Sequence, residues 1–246
     1  MNLKIGCVRY LNSRPFAEGL KDYSLIFEVP SKLAIMLREQ AIDIGLIPVF
    51  EYLSMREQYD LIPGTGIACH GPVQSVFLKH AKKDLSEVRT ISLDSSSLTG
   101  AHLLKVLCAQ VWNIKPTFIS EKETADAQFW IGDRALEIKR QHPQDTYLDL
   151  GETWKNWTDL PFVFAVWAAR KGLAQDSLKQ FQQRCLESIA NPARVAQTPE
   201  EEFYITQSIH YSLSNEEMTG LERFSRELQS LGFISEQLHF AASSIY

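Results

Sequence analysis

The chain has 246 residues, enough for one large α/β domain or two lobes of ordinary size, and its 45% apolar and 22% charged content is that of a globular protein in water. A formal charge of −5 with no basic stripe argues against a nucleic-acid partner, and no apolar run reaches membrane-spanning length. The apolar part of Leu3–Val8 is too short for an export signal and breaks at Arg9, so the expected location is the cytoplasm.

In chain order, Leu3–Tyr10 reads as a first strand, Asn12-Ser13 as a turn of N-cap type, and Pro15 as the opening of a first helix. Leu25–Val29 is a second strand. Pro30-Ser31 opens a helix with Leu33, Met36 and Leu37 on one face, and Asp43–Ile47 is a third strand. Strands alternating with helices in this way predict parallel βαβ units. A helix over about 49–57 leads to a Gly-rich segment with two strands and a turn at Gly71-Pro72.

The pattern restarts at Leu85. Thr90–Leu93 is a strand, Asp94-Ser95-Ser96-Ser97 a polar turn, and Leu98–Trp112 a helix with its stripe at Leu104, Leu107, Cys108 and Val111. Strands follow at Thr117–Ser120, Ala127–Ile131 and Thr146–Leu150, with a helix opened by Asp133 between the last two. Phe162–Ala169 is the longest apolar run and reads as a fully buried strand. Beyond it the chain reads as wholly helical, with a capping box at Ser214–Glu217 and a stop at Gly232. This divides the chain into one lobe of residues 1–78 plus about 190–246, a second of about 79–170, and a returning helix over 171–189. The crossings lie near Val73–Leu78 and Phe162–Ala168.

Each lobe has a strand ending in polar residues at a helix start, the rim where open α/β sheets bind ligands, because unpaired N–H groups and the helix dipole favour an anion there. Asn12 and Ser13 form one rim; Ser95, Ser96, Ser97 and Thr99 form the other. Both sets also read as plain helix caps. Signatures of nucleotide-binding, serine-hydrolase and zinc-protease sites are absent, and the six histidines do not cluster. His70 is the one histidine near the crossing, and it also reads as bonded to backbone there. Asp133 reads as a helix cap, Phe162 and Phe164 as core. Cys7, Cys69, Cys108 and Cys185 are too far apart for a metal site and read as reduced, buried thiols.

The ordered segments VRYLNSRPF, DIGLIPVFEYL, CHGPVQSVFL, ISLDSSSLT, FWIGDRAL and LDLGETWKNWTDLPFVFAVWA resemble the menaquinone-biosynthesis proteins of the futalosine route, over roughly Ile5–Ala169. The resemblance implies a two-lobed α/β fold like that of type II periplasmic solute-binding proteins, with a ligand cleft between lobes. It also implies a lyase reaction without cofactor, in which chorismate loses water to give 3-[(1-carboxyvinyl)oxy]benzoate. On that basis Asn12 is the catalytic residue, and Arg9, Tyr10, Ser13, Gly71, Pro72, Val73, Ser95, Ser96, Ser97, Thr99 and Asp133 hold the substrate. The protein is expected as a monomer or homodimer. The family has a small residue or proline at the place of Arg9, a serine at Cys69 and often an arginine at Leu98. A cation at Arg9 could replace the charge missing at 98. With no obvious general base, the substrate's own enolpyruvyl carboxylate is the favoured one, with His70 and Asp133 as alternatives. The rivals are a solute-binding protein for a small carboxylate and the sister enzyme acting later on the same route.

Overall fold

A computed structural model of the chain describes residues 3–81, 84–236 and 238. The opening βαβ pattern folds as predicted: β1 (Lys4–Cys7), α1 (Arg14–Gly19), β2 (Ser24–Phe27), α2 (Pro30–Arg38) and β3 (Ile44–Pro48) place three parallel strands side by side. Every side chain of β3 is buried, so its apolar IGLIP sequence fits a strand covered on both faces. The chain continues through α3 (Val49–Ser54) into the eleven-residue strand β4 (Tyr59–Cys69) and then leaves this sheet.

A second sheet begins with β5 (Val76–His80). It continues through β6 (Thr90–Leu93), α4 (Thr99–Gln110), β7 (Thr117–Ser120), β8 (Ala127–Ile131), α5 (Gly132–Gln141) and β9 (Tyr147–Asp149). Its strand order is β7-β6-β8-β5-β9, parallel among β6, β7 and β8, with β5 antiparallel to both its neighbours. Helix α6 (Leu150–Thr158) then leads back to β10 (Phe162–Arg170), which lies between β3 and β4 and antiparallel to both.

These pairings correct the expected lobe boundaries. The second sheet spans 76–149, and β10, assigned by sequence to the second lobe, lies inside the first. A nine-residue strand this apolar needs partners on both edges as well as both faces, and only the first sheet supplies them.

After α7 (Gln175–Ile189) and α8 (Pro199–Phe203), a π-helical turn at Tyr204–Ser208 leads to β11 (His210–Ser212) and α9 (Asn215–Ser230). The expectation of a purely helical tail is therefore corrected too. β11 pairs with β4 and covers an edge that would otherwise stay open. Helix α7 packs on α1 and β4, while α9 packs on β10 and reaches α4 of the second lobe. Its capping box forms: the Ser214 N–H donates to Glu217 Oε2 at 2.9 Å, and Ser214 Oγ accepts from the Glu216 N–H. Gly232 has φ of +73°, the left-handed stop that glycine favours. The part of the first lobe expected beyond residue 238 lies outside the described residues. In α4 the buried stripe includes Leu104, Leu107 and Cys108 as predicted, whereas Val111 falls just past the helix end and is exposed.

Candidate functional site

The first rim is built where β1 ends. In the segment just past β1, Val8 and Tyr10 line the cleft and Arg9 is exposed. A single 3-10 turn, Leu11–Ser13, then feeds α1, with Pro15 in its first turn where a missing N–H costs nothing. Ser13 is fully buried and its hydroxyl reaches back to the carbonyls of Val8 (2.6 Å) and Tyr10 (2.8 Å). It neither caps the helix nor faces the cleft. Asn12 does face it, and its Oδ1 is buried with no hydrogen-bond partner among the described residues. An unpaired buried acceptor costs about 1–3 kcal/mol, and on a cavity wall this one is open to a donor from a ligand.

The second rim lies at the end of β6. The expected capping by Ser95, Ser96 and Ser97 does not occur: the position before α4 is Leu98, which has no side-chain bond to give. Ser96 instead folds onto Asp94, donating from its N–H at 2.9 Å and its Oγ at 2.5 Å to Oδ1. Ser95 is exposed. Ser97 lines the cleft, and Thr99 Oγ1 accepts from the Phe50 N–H of the first lobe at 3.2 Å.

The rims meet. Tyr10 Oη lies 3.5 Å from Ser96 Oγ, and the Tyr10 ring covers Gly132, where a Cβ would sit 3.1 Å from the ring. With φ of +61° as well, Gly132 leaves no room for another residue. Asp133 is corrected from helix cap to lobe latch: its Oδ1 accepts the Leu11 N–H at 2.8 Å across the cleft, and Ile131 holds the cap position. Burial raises the Asp133 pKa above the usual carboxylate value. Phe50 also stacks on His102 of the second lobe, ring centroids 3.5 Å apart.

Between the rims lies a cavity of about 80 Å³. Its walls are apolar, including Leu46, Ile67, Ile131 and Phe164, and its polar groups are Tyr10, Asn12, Ser75, Ser97 and Thr99. Among the described residues no lysine, arginine or histidine lines it. Phe164, expected as core, is thus a cleft wall, whereas Phe162 is core at 1% exposure. Arg9 is exposed, its guanidinium 4.8 Å above the Phe27 ring, so the charge replacement expected of it has no geometry here. His70 is exposed against His210 and does not line the cavity, which removes it as a base.

At the crossing, Gly71 adopts φ of +114°, and Val73 alone of Gly71, Pro72 and Val73 lines the cavity. The N–H groups of Val73 and Gln74 donate to Asp149 at 3.1 and 2.6 Å, and the same carboxylate caps α6 through the Gly151 and Glu152 N–H groups. Asp149 and Ser75 were missed. The first was readable from Asp149…Glu152, an N-cap residue followed three later by glutamate; the second carries no local signal. All four cysteines are buried, and burial pushes the Cys7 thiol up to about 12. Hydroxyls, one amide and apolar walls suit a small ligand held by neutral polar groups.

The menaquinone biosynthesis family matches residues 3–230. The chain is 29% identical over 232 residues to a chorismate dehydratase of Campylobacter jejuni, covering 90% of this chain and 92% of that one. It is 28% identical over 189 residues to a chorismate dehydratase of Thermus thermophilus, covering 68% and 69%. Among solved structures, a protein of Archaeoglobus fulgidus superposes with a TM-score of 0.73 at 13% identity, over 94% of this chain and 98% of that one. A Candida albicans protein described as having the generic periplasmic binding protein fold gives 0.65 at 12%, over 97% and 92%. These two likenesses show the two-lobed fold. No helix among the described residues is long and apolar enough to cross a membrane.

Proposed function

The chain belongs to the menaquinone biosynthesis family, and from that premise we propose that it is a cytoplasmic hydro-lyase of the futalosine route, converting chorismate to 3-[(1-carboxyvinyl)oxy]benzoate in the cleft between its lobes. The observation that carries this reading is Asn12: a half-buried amide whose buried oxygen is unpaired, on the wall of the apolar cavity between the lobes. The names of the two relatives support it.

The chemistry asks little of the protein. The chorismate C3 proton is acidified through the ring carboxylate, and the enolpyruvyl carboxylate of the same molecule accepts it. The electron pair left on the ring then expels hydroxide from C4, which takes up a proton to leave as water, and the ring becomes aromatic. Asn12 orients the substrate, its Nδ2 amide donating to the carboxylate while its open Oδ1 accepts from the C4 hydroxyl, with Ser97 and Thr99 at the start of α4 giving hydroxyl contacts and the favourable end of the helix dipole. The walls exclude water. Holding a near-attack geometry of this kind can remove up to about 7–11 kcal/mol of barrier.

Incubation with chorismate, followed by absorbance and mass of the product, tests the reading: an aromatic product lighter by one water is expected. Binding without turnover would overturn it in favour of a solute binder. Because no histidine among the described residues lines the cavity, kcat should be flat across the range in which histidine titrates, about pH 5–8.

A further inference from the structure

Tyr204 lies outside every segment that pointed to the cleft. It begins the π-helical turn Tyr204–Ser208, and its hydroxyl donates to Ser75 Oγ at 2.7 Å while the Asn12 side chain lies against the same oxygen. Ser208, at the other end of the turn, accepts from Gln74 Nε2 at 2.8 Å. One short turn therefore grips two consecutive residues of the lobe crossing, beside Asn12 of the first rim. A π turn gives up regular helix geometry and recurs at functional sites. Here it brings both ends of the turn to the crossing.

The donor count sharpens the picture. A hydroxyl gives one proton and accepts two, so Ser75, accepting from Tyr204, retains its own proton to give. Ser75 lines the cavity, and its carbonyl accepts the Gly132 N–H of the second lobe at 2.8 Å. Burial pushes the Tyr204 phenol far above its ordinary value, so it stays protonated at every working pH and serves as a fixed donor.

We propose that Tyr204 is the positioning residue of the cleft: through Ser75 and Asn12 it fixes the direction in which both polar groups meet a bound carboxylate. The proposal rests on the reading of this cleft as the site of reaction.

The test is Tyr204→Phe, which deletes only the hydroxyl and keeps the ring. With chorismate, kcat should fall roughly tenfold to a hundredfold while KM stays within about threefold, the mark of lost alignment. Ser75→Ala should give the same split, and serves if Tyr204→Phe does not fold. The double variant should lose less than the product of the single losses, since the two residues act as a unit. Wild-type kcat in Tyr204→Phe, or fully multiplicative losses, would overturn the proposal. Amide exchange at Gly132 reads the grip without any reaction: it should quicken severalfold in Tyr204→Phe, and unchanged exchange counts against the proposal. A wild type inactive on chorismate but with this exchange difference would sink the proposed reaction and leave the role of Tyr204 standing.

Discussion

The two rims of the cleft carry similar polar residues and use them in opposite ways. At the second rim Ser96 is committed to Asp94 and Thr99 Oγ1 to the Phe50 N–H, and of the three serines only Ser97 lines the cavity. At the first, Ser13 is committed in the same manner, but Asn12 Oδ1 is left without a partner. The difference teaches that a polar cluster at a strand end is mostly scaffold, and that of the unpaired buried polar atoms among the described residues only Asn12 Oδ1 belongs to a residue lining the cavity.

The largest effect expected from this contrast is at Asn12. Asn12→Ala should lower kcat about a hundredfold or more while the melting temperature holds or rises, because an unpaired buried acceptor is being removed. A steady loss of both activity and stability would erase the distinction between the rims. Next comes Thr99→Val, which strands the Phe50 N–H and should cost about 1–3 kcal/mol in urea unfolding. The second rim would then show its effect first in stability.

Asp133→Asn tests the latch beside the first rim through pH. The folded-state pKa of Asp133 is raised, so the native state holds its proton more tightly than the unfolded one. Relative to the amide variant, wild-type stability should therefore be greatest below the unfolded value near 3.8, fall as pH rises through the raised folded value, and then level off. Parallel melting curves across this window would show that the carboxylate is not buried as described. The smallest effect belongs to Ser95, exposed and outside the cavity: Ser95→Ala should change stability by less than about 0.5 kcal/mol and leave KM unaltered.

Much of the fold was readable in local patterns. The βαβ units, the capping box at Ser214 and the buried run at Phe162 all follow from periodicity and end signals that act over a few residues. What was not readable depended on distant partners. The sheet to which β10 belongs is decided by two edges about a hundred residues upstream in β3 and β4, and β11 is three residues long with no pattern of its own. At the site, Asn12, Tyr10, Val73, Ser97 and Thr99 were placed at the cavity from sequence and line it. Arg9 failed because it lies past the end of β1, exposed and stacked over the Phe27 ring. Ser13 failed because a hydroxyl that looks like a cap can serve the turn before it. Tyr204 could not be found, since its relation to Asn12 spans nearly the whole chain.

Placement of β10 between β3 and β4 also sets an order of events during synthesis. When the ribosome has released residues 1–70, the strand that joins β3 to β4 does not yet exist, and the edges of both remain open. The whole second sheet, residues 76–149, emerges before that gap can be filled. Domains form as their segments become available, and distant pairings wait for the loop between them to close. The inserted unit should therefore become protected from protease on stalled nascent chains while the amino-terminal strands are still cleavable, and those strands are where a chaperone would find something to hold.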